Sequence, residues 1–286
     1  MALMDAKNID NDDLIKSLEC KAREIRLEIV RVASLMGEER RAHPGPALSI
    51  TDIMVALYYR VMDIDPFNPH WENRDRLILS KGHACLVLYS ILSDLGYFDR
   101  IHLDTLRHIG SILQGHPDMQ KTPGVDMTTG SLGNGLGLAL GIALAAKMDG
   151  RSYHTYVVIG DGESQEGVIW EAAQTAVKYK LDNLTAFLDI NGWQSCGSVM
   201  ETMPGQRNRE RWEAFGWNVI VINGHSFREI LSALEIARNH MGEPTMILAN
   251  TIKGKGVSYM ENNNSWHQKA PTAEQLEIAR RELEMI

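Results

Sequence analysis

The sequence predicts an α/β fold, a mainly parallel sheet with helices on both faces, and three observations carry that expectation. Segments at Arg76–Leu79, 156–159, Leu184–Ile190, 219–222 and 245–249 are continuous apolar runs without alternation, as in strands covered on both faces. Stretches of helical periodicity separate them, and strand–helix alternation at this spacing builds parallel crossover units. Two of the runs break abruptly into Gly160-Asp161-Gly162-Glu163 and Asn191-Gly192-Trp193, the composition of ligand-bearing turns at strand ends.

In chain order, Leu14, Leu18, Ile25, Ile29, Val32 and Leu35 recur at helical spacing among charges, so residues 12–39 read as a long amphipathic helix. Pro44 and Gly45 end it. Ser49 is placed to cap a second helix over 51–61, and Pro66 and Pro69 mark the loop into the strand Arg76–Leu79. Helical patterns follow at 83–95 and 103–110, then a polar, Gly/Pro-punctuated loop over 114–131, long enough to suggest use rather than mere connection. Further helices are expected at 135–148, 168–178, 207–215 and 227–240, with a charged helical tail over 272–286. No repeat or linker divides the chain, so residues 1–286 are expected to form a single domain.

The bulk properties exclude several classes. A net charge of −8 argues against a nucleic-acid or anionic-membrane surface, and 24 Gly against 9 Pro does not resemble a disordered tract. Cys20, Cys85 and Cys196 are too scattered for a disulfide framework or a CxxC metal site, which suits a reducing compartment. No signal-peptide pattern or membrane-length apolar run stands out, and the cytoplasm is the expected address.

Chemistry concentrates at the strand ends. In open parallel sheets the ligand crevice lies at the carboxyl edges, where Asp161 and Asn191 can converge on one hard cation while adjacent glycines admit a phosphate. An Asp carboxylate, an Asn amide oxygen and a backbone carbonyl suit Mg²⁺ bridging a diphosphate. Thr129-Gly130-Ser131-Leu132-Gly133 opens a helix whose amino terminus favours anions, although its small residues equally suit close helix packing. His43, His83, His116 and His267 each lie in a loop, mostly beside Gly or Pro. Any one alone is more readily a surface or packed histidine, but together they suggest an active site, and their spacing does not suggest zinc.

With Asn191 following Asp161 by 30 positions, one strand–helix–strand unit, the pair matches the thiamine-diphosphate motif of transketolases and related enzymes. The segments AHPGPALSITDI, NRDRLILSKGHACLVLYSILSDLGYF, GSILQGHPDMQKTPGVDMTTGSLGNGLG, VIGDGESQEG and TIKGKGVSYMENNNSWH resemble, in order, the amino-terminal thiamine-diphosphate-binding domain of transketolases, above all the corresponding chain of split, two-chain forms. That resemblance implies a divalent ion, Mg²⁺ or another such as Ca²⁺ or Mn²⁺, held by Asp161, Asn191 and the carbonyl of Trp193. It assigns the cofactor to His83, Gly130, Ser131, Leu132, Gly162 and the backbone of Glu163, with Asn191 shared between cofactor and metal. His116 would bind the donor's terminal hydroxyl, His43 and His267 would move protons on substrate hydroxyls, and Glu166 would lie near a dimer interface.

The implied reaction passes a two-carbon ketol unit from a ketose phosphate or similar anionic ketose to an aldose. In the family, the glutamate that protonates the aminopyrimidine and most residues for the sugar's anionic end lie in a following domain. A separate pyrimidine-binding subunit in an α₂β₂ assembly is therefore expected. Ile190, Cys196 and Asn223 depart from the family pattern without touching the metal set, and they bear on loop hydrogen bonding and substrate preference. Pentose phosphates, branched sugars and sulfonated sugars all stay open as substrates. So do a synthase or 2-oxo acid decarboxylating thiamine enzyme and a non-catalytic paralogue, although the latter has no need of intact Asp161, Asn191 and four histidines.

Overall fold

The computed structural model describes residues 12–285. Five parallel strands, β1 (Arg76–Leu79), β2 (Thr155–Gly160), β3 (Leu184–Ile190), β4 (Asn218–Asn223) and β5 (Thr245–Asn250), form a sheet in the order β1-β2-β3-β5-β4. Each expected strand is present. Their side chains divide between two cores because successive residues point to opposite faces. Tyr156, Val158, Phe187, Ile247 and Ala249 enter one core, and Val157, Ile159, Ala186, Leu188, Met246 and Leu248 the other.

The first core is closed by α1 (Asp12–Arg40), α2 (Pro44–Ser49), α3 (Thr51–Ala56), α4 (Cys85–Asp94), α9 (Phe227–Asn239) and α10 (Ala273–Met285). The second is closed by α5 (Asn134–Met148), α6 (Gly167–Lys178) and α8 (Asn208–Ala214). Between β3 and α8 a four-residue helix, α7 (Val199–Thr202), is capped by Ser198, whose side chain accepts from the Glu201 N–H. Among the described residues no helix is long and apolar enough to cross a membrane.

Several expectations about helices need correction. Pro44 does not simply terminate the first helix but starts α2, where its missing N–H costs nothing and its fixed φ is already helical. Ser49 is then no cap: its hydroxyl donates to Pro46 O and to Asp189 Oδ2 at 2.8 Å, and the expected 51–61 helix is α3 followed by a wider turn at Leu57–Val61. The helix expected over 103–110 is instead a 3₁₀ segment, Arg100–Thr105, after which Leu106 turns extended and Arg107 takes φ 59°. Leu103 and Leu106 are buried there, so the apolar spacing reflected core contacts in a tighter coil. The 3₁₀ turn Gly82–Ala84 likewise precedes α4, placing His83 on a bend rather than in a helix.

The registers Leu79↔Val158, Gly160↔Asp189 and Ile190↔Asn250 keep the carboxyl ends of the central strands level. The candidate site grows from that edge.

Candidate active site

The turn after β2 is organised by two buried acids. Asp161 accepts from its neighbour Gly162 N at 2.7 Å and, across the strand gap, from Gly192 N at 2.8 Å. Burial and the nearby Asp189 carboxylate push its carboxyl up to about 6. Glu163 is turned inward: its carboxylate accepts from Ser80 Oγ, from Gly133 N at 2.8 Å and from Gly160 N at 3.0 Å, and burial raises its pKa. That side chain ties the β1, β2 and α5 turns together and leaves only the Glu163 backbone for a ligand.

Asn191 ends β3 with its amide held at both ends. Its Nδ2 donates to Asp189 Oδ2 at 2.7 Å, and its Oδ1 accepts from Trp193 N at 3.0 Å. Asp189 is the hub beneath the site. Burial opposes its ionisation, yet the Lys81 ammonium at 2.5 Å and the hydroxyls of Thr251 and Ser49 hold its carboxyl below the usual carboxylate range. Lys81 also donates to Pro46 O at 3.1 Å. Neither Asp189 nor Lys81 was singled out from the sequence, although an aspartate inside the apolar run Leu184–Ile190 is itself a signal, since a charge there requires a partner.

The glycine loop closes over this turn. Gly130 has φ 151°, and a Cβ there would stand 3.3 Å from His116 Cγ. Gly133, at φ 88°, is the left-handed residue that opens α5. Thr129 fixes the loop by donating from Oγ1 to Leu79 O at 2.8 Å, and Ser131 and Leu132 are exposed beside it.

The four histidines, from loops far apart in sequence, form one group. Ring centroids lie 5.3 Å apart for His43–His83, 5.4 Å for His43–His267, 5.3 Å for His83–His267 and 6.5 Å for His43–His116. Burial, with neighbouring cations, lowers every one of their pKa values: His43 to about 4, His267 to about 3, His83 well below its ordinary value and His116 downward. A buried lysine the sequence did not mark, Lys253, stands behind His267, with Nζ 3.0 Å from its Nδ1 and 2.7 Å from Asn264 Oδ1.

The chain thus presents a cation- and anion-binding crevice at the edge of a parallel sheet, roofed by imidazoles, the arrangement of a thiamine-diphosphate-binding α/β protein. The chain belongs to the transketolase family, since residues 23–285 match the family model described as transketolase, thiamine diphosphate binding domain.

Relatives of similar length are themselves subunits. The chain is 50% identical over 242 residues to a 6-deoxy-6-sulfo-D-fructose transketolase subunit of a Clostridium species, covering 85% of this chain and 88% of that one. It is 41% identical over 269 residues to an apulose-4-phosphate transketolase subunit of Phocaeicola vulgatus, covering 94% of each. Among solved structures, transketolase of Pichia stipitis in complex with sedoheptulose 7-phosphate superposes with a TM-score of 0.87 at 30% identity, over 94% of this chain and 41% of that one. Transketolase of Campylobacter jejuni gives 0.86 at 33% identity, over 96% and 43%. The chain therefore spans about two fifths of the solved transketolases and nearly all of the subunit relatives. It is the thiamine-diphosphate-binding part of a transferase.

The residues present fit the cofactor and its ion. Gln194 Nε2 is buried without a hydrogen-bond partner among the described residues, a donor left for a polar ligand, and it packs so close to Gly162 that a Cβ there would meet the Gln194 side chain at 2.8 Å. Asp161, an acid crowded by another acid, is the kind of group a divalent ion returns to the carboxylate form.

Proposed function

We propose that this chain is the cofactor-binding subunit of a two-chain transketolase, transferring a ketol unit from an anionic ketose to an aldose together with a separate pyrimidine-binding subunit, as an α₂β₂ assembly. The convergence of four loop histidines above the Asp161–Asn191 crevice carries this reading, because a polyhydroxylated donor needs several positioned hydrogen-bonding groups. Residues 1–286 act as one unit in it. Asp161, Asn191 and the Trp193 carbonyl hold Mg²⁺, with Ca²⁺ or Mn²⁺ as substitutes. Gly130, Ser131, Leu132, Gly162, His83 and the Glu163 backbone, with Asn191, would hold thiamine diphosphate.

When bound, that cofactor supplies the electron sink for breaking the bond between C2 and C3 of the ketose. The chain's own task is to orient the sugar and exclude water. His116 takes the terminal hydroxyl, while His43 and His267 contact the hydroxyls at the bond that breaks, and all three are kept neutral by burial at neutral pH. Neutral imidazoles both accept and donate, which sugar hydroxyls require. The three free cysteines support a reducing, cytoplasmic setting, and the acidic net charge supports neither a nucleic-acid nor a membrane partner.

The subunit names of the relatives support a partner chain, and their sulfonated and branched-sugar names make such anionic ketoses the first donors to assay beside pentose phosphates. The test is reconstitution of the chain with its partner in the presence of Mg²⁺ and cofactor. Ketol transfer should appear only in the mixture and should be lost in Asp161→Ala; full activity in that variant refutes the assigned metal site. Decarboxylation of a 2-oxo acid without ketol transfer by the wild-type pair refutes the assigned reaction.

A further inference from the structure

The two edges of the sheet are treated differently. At β1 the outward Leu77 N–H is taken by Asp126 Oδ2 at 2.8 Å, and Asp126 is itself held by Arg74. At the other edge β4 reads Asn-Val-Ile-Val-Ile-Asn in unbroken register with β5, without the charge, proline or bulge that shields an exposed strand. Asn218 N and Gly224 N donate to Pro244 O and Asn250 O on the β5 side, so by alternation Val219, Val221 and Asn223 turn their N–H groups outward. Glu229 Oε2 takes that of Asn223 at 2.8 Å, and none of the described residues takes those of Val219 and Val221. Val221 is 47% exposed, and beside it a groove of about 490 Å³ runs between the strand and α9, where Ile236 is 51% exposed. The groove carries opposite charges at its ends: Arg228, paired with Asp12, in the first turn of α9, and Glu235 about two turns further on.

We propose that this edge is a docking surface for a second copy of the chain, β4 beside β4 and α9 beside α9 in antiparallel pairs about a two-fold axis. Such an axis sets the same patch of both copies face to face in opposite directions, so the patch must complement itself. It does so in two respects. With Ile220 at the axis, Val219 of each copy stands opposite Val221 of the other, and because both residues turn N–H and C=O outward, each such pair exchanges two hydrogen bonds. With Ser232 at the axis, Arg228 of each copy stands opposite Ile236 and its neighbour Glu235 of the other, so each end of the groove meets the opposite charge and the arginine stem covers an exposed apolar side chain. Ile220 and Ser232 line the same groove, and Ser232 is small and exposed, which lets the two helices approach. The occupant is a second copy rather than an unrelated strand because one antiparallel arrangement pairs both the outward backbone groups and the charges. β5 separates this edge from the strand carrying Asn191, so the contact leaves the cofactor crevice untouched and does not depend on the reaction assigned to it.

The experiment uses the full chain without a partner subunit. Sedimentation equilibrium from about 1 µM to about 1 mM, the range of contacts smaller than a standard interface, should show the mass doubling with concentration. Amide hydrogen exchange at Val219 and Val221 should slow over the same range, which association through another face would not produce. Val221→Lys, which sets a charge on the edge, should weaken the association by about tenfold or more while the melting temperature stays close to that of the wild type. Glu235→Arg should weaken it without touching the strand, and Arg228→Glu combined with Glu235→Arg should restore it. A mass that stays constant with concentration, or a doubling indifferent to Val221→Lys and Glu235→Arg, overturns the proposal. So does a chain that pairs only once residues 1–11 are removed, which assigns the edge to the chain's own amino-terminal segment. A Val221→Lys chain that still doubles in mass but no longer binds the partner subunit assigns the edge to that subunit and overturns the proposal as well.

Discussion

Replacing Lys81 by Met tests whether the buried pair beneath the site is the hub that the hydrogen bonds describe. The Lys81 and Asp189 side chains are 2% and 0% exposed, so neither charge has water to fall back on. Lys81→Met keeps most of the volume and removes the only cation bonded to Asp189 among the described residues, leaving its carboxylate with the neutral donors Ser49, Thr251 and Asn191. Breaking a buried pair from one side costs about 3–5 kcal/mol. At roughly 2–4 °C per kcal/mol for a chain of this size class, the melting temperature should fall by about 6–20 °C. Asp189→Asn should cost a similar amount by stranding the ammonium with Pro46 O and the Ser49 hydroxyl. Because each single variant includes the penalty of the orphaned partner, the double variant should be milder than their sum by at least about 2 kcal/mol. Urea unfolding of the chain followed by far-ultraviolet circular dichroism gives all four corners of the cycle. A Lys81→Met cost below about 1 kcal/mol, or strict additivity, would show that the pair is not buried as one unit.

Three other outcomes follow from local geometry. His154 is enclosed beside β1, with Nε2 2.8 Å from Thr185 Oγ1, and burial brings its pKa down to about 3. The unfolded chain binds that proton near pH 6.5 and the folded chain does not, so stability falls as pH drops from about 6.5 toward 3, by about 3 kcal/mol at pH 4 from this group. His154→Gln should flatten that slope in urea titrations at pH 7 and pH 4, and an unchanged slope would remove His154 as its source. Gly133→Ala should destabilise by about 1–3 kcal/mol, since φ 88° is strained for alanine and the new Cβ would stand 2.8 Å from Glu166 Cβ and Val168 Cγ1; thermal melting without loss of stability would contradict the loop geometry. In calorimetric titration Asp161→Asn should abolish the Mg²⁺ dependence of thiamine diphosphate binding, and retained dependence would mean that the ion sits elsewhere.

The strands and the site turns were legible because both follow local rules. A strand covered on both faces is largely apolar, which marks the buried strands, and the edge strand β4 carries the same apolar run although it is only partly covered; a turn that admits a phosphate must contain glycine, which marks Gly130, Gly133 and Gly162. The failures have one physical origin. At 51–61 and 103–110 the apolar spacing suits a helix, but the first segment is α3 running into a wider turn and the second is replaced by a 3₁₀ segment packed on α1 and α4, which spacing does not distinguish. Lys81, Asp189 and Lys253 were overlooked for a related reason. Each is a single charge whose meaning depends on a partner that is 108 residues away for Lys81 and Asp189, and 14 away for Lys253 and His267. Ser49 looked like a cap because nothing local reveals that an acid 140 residues on requires its hydroxyl.

Those pairings also explain why two buried lysines a short distance apart do different work. Lys81 is paired with Asp189, so beneath Asn191 the amide is held by a hub of two opposite charges, and through space Lys81 still opposes protonation of His83 and His267. Among the described residues Lys253 has no such acid. Its bonded partners are an amide oxygen and an imidazole, and Asp161 and Asp189 act on it only through space. Its charge is therefore felt by the histidines: Lys253 is among the groups that lower His43 and His267, as Arg107 is for His43 and His116, and no carboxylate opposes them in any of the three. A face of neutral imidazoles backed by cations favours an anionic ligand and disfavours protonated histidine. The same field that would draw in a phosphorylated or sulfonated sugar thus keeps the imidazoles in the form that can both accept and donate to its hydroxyls.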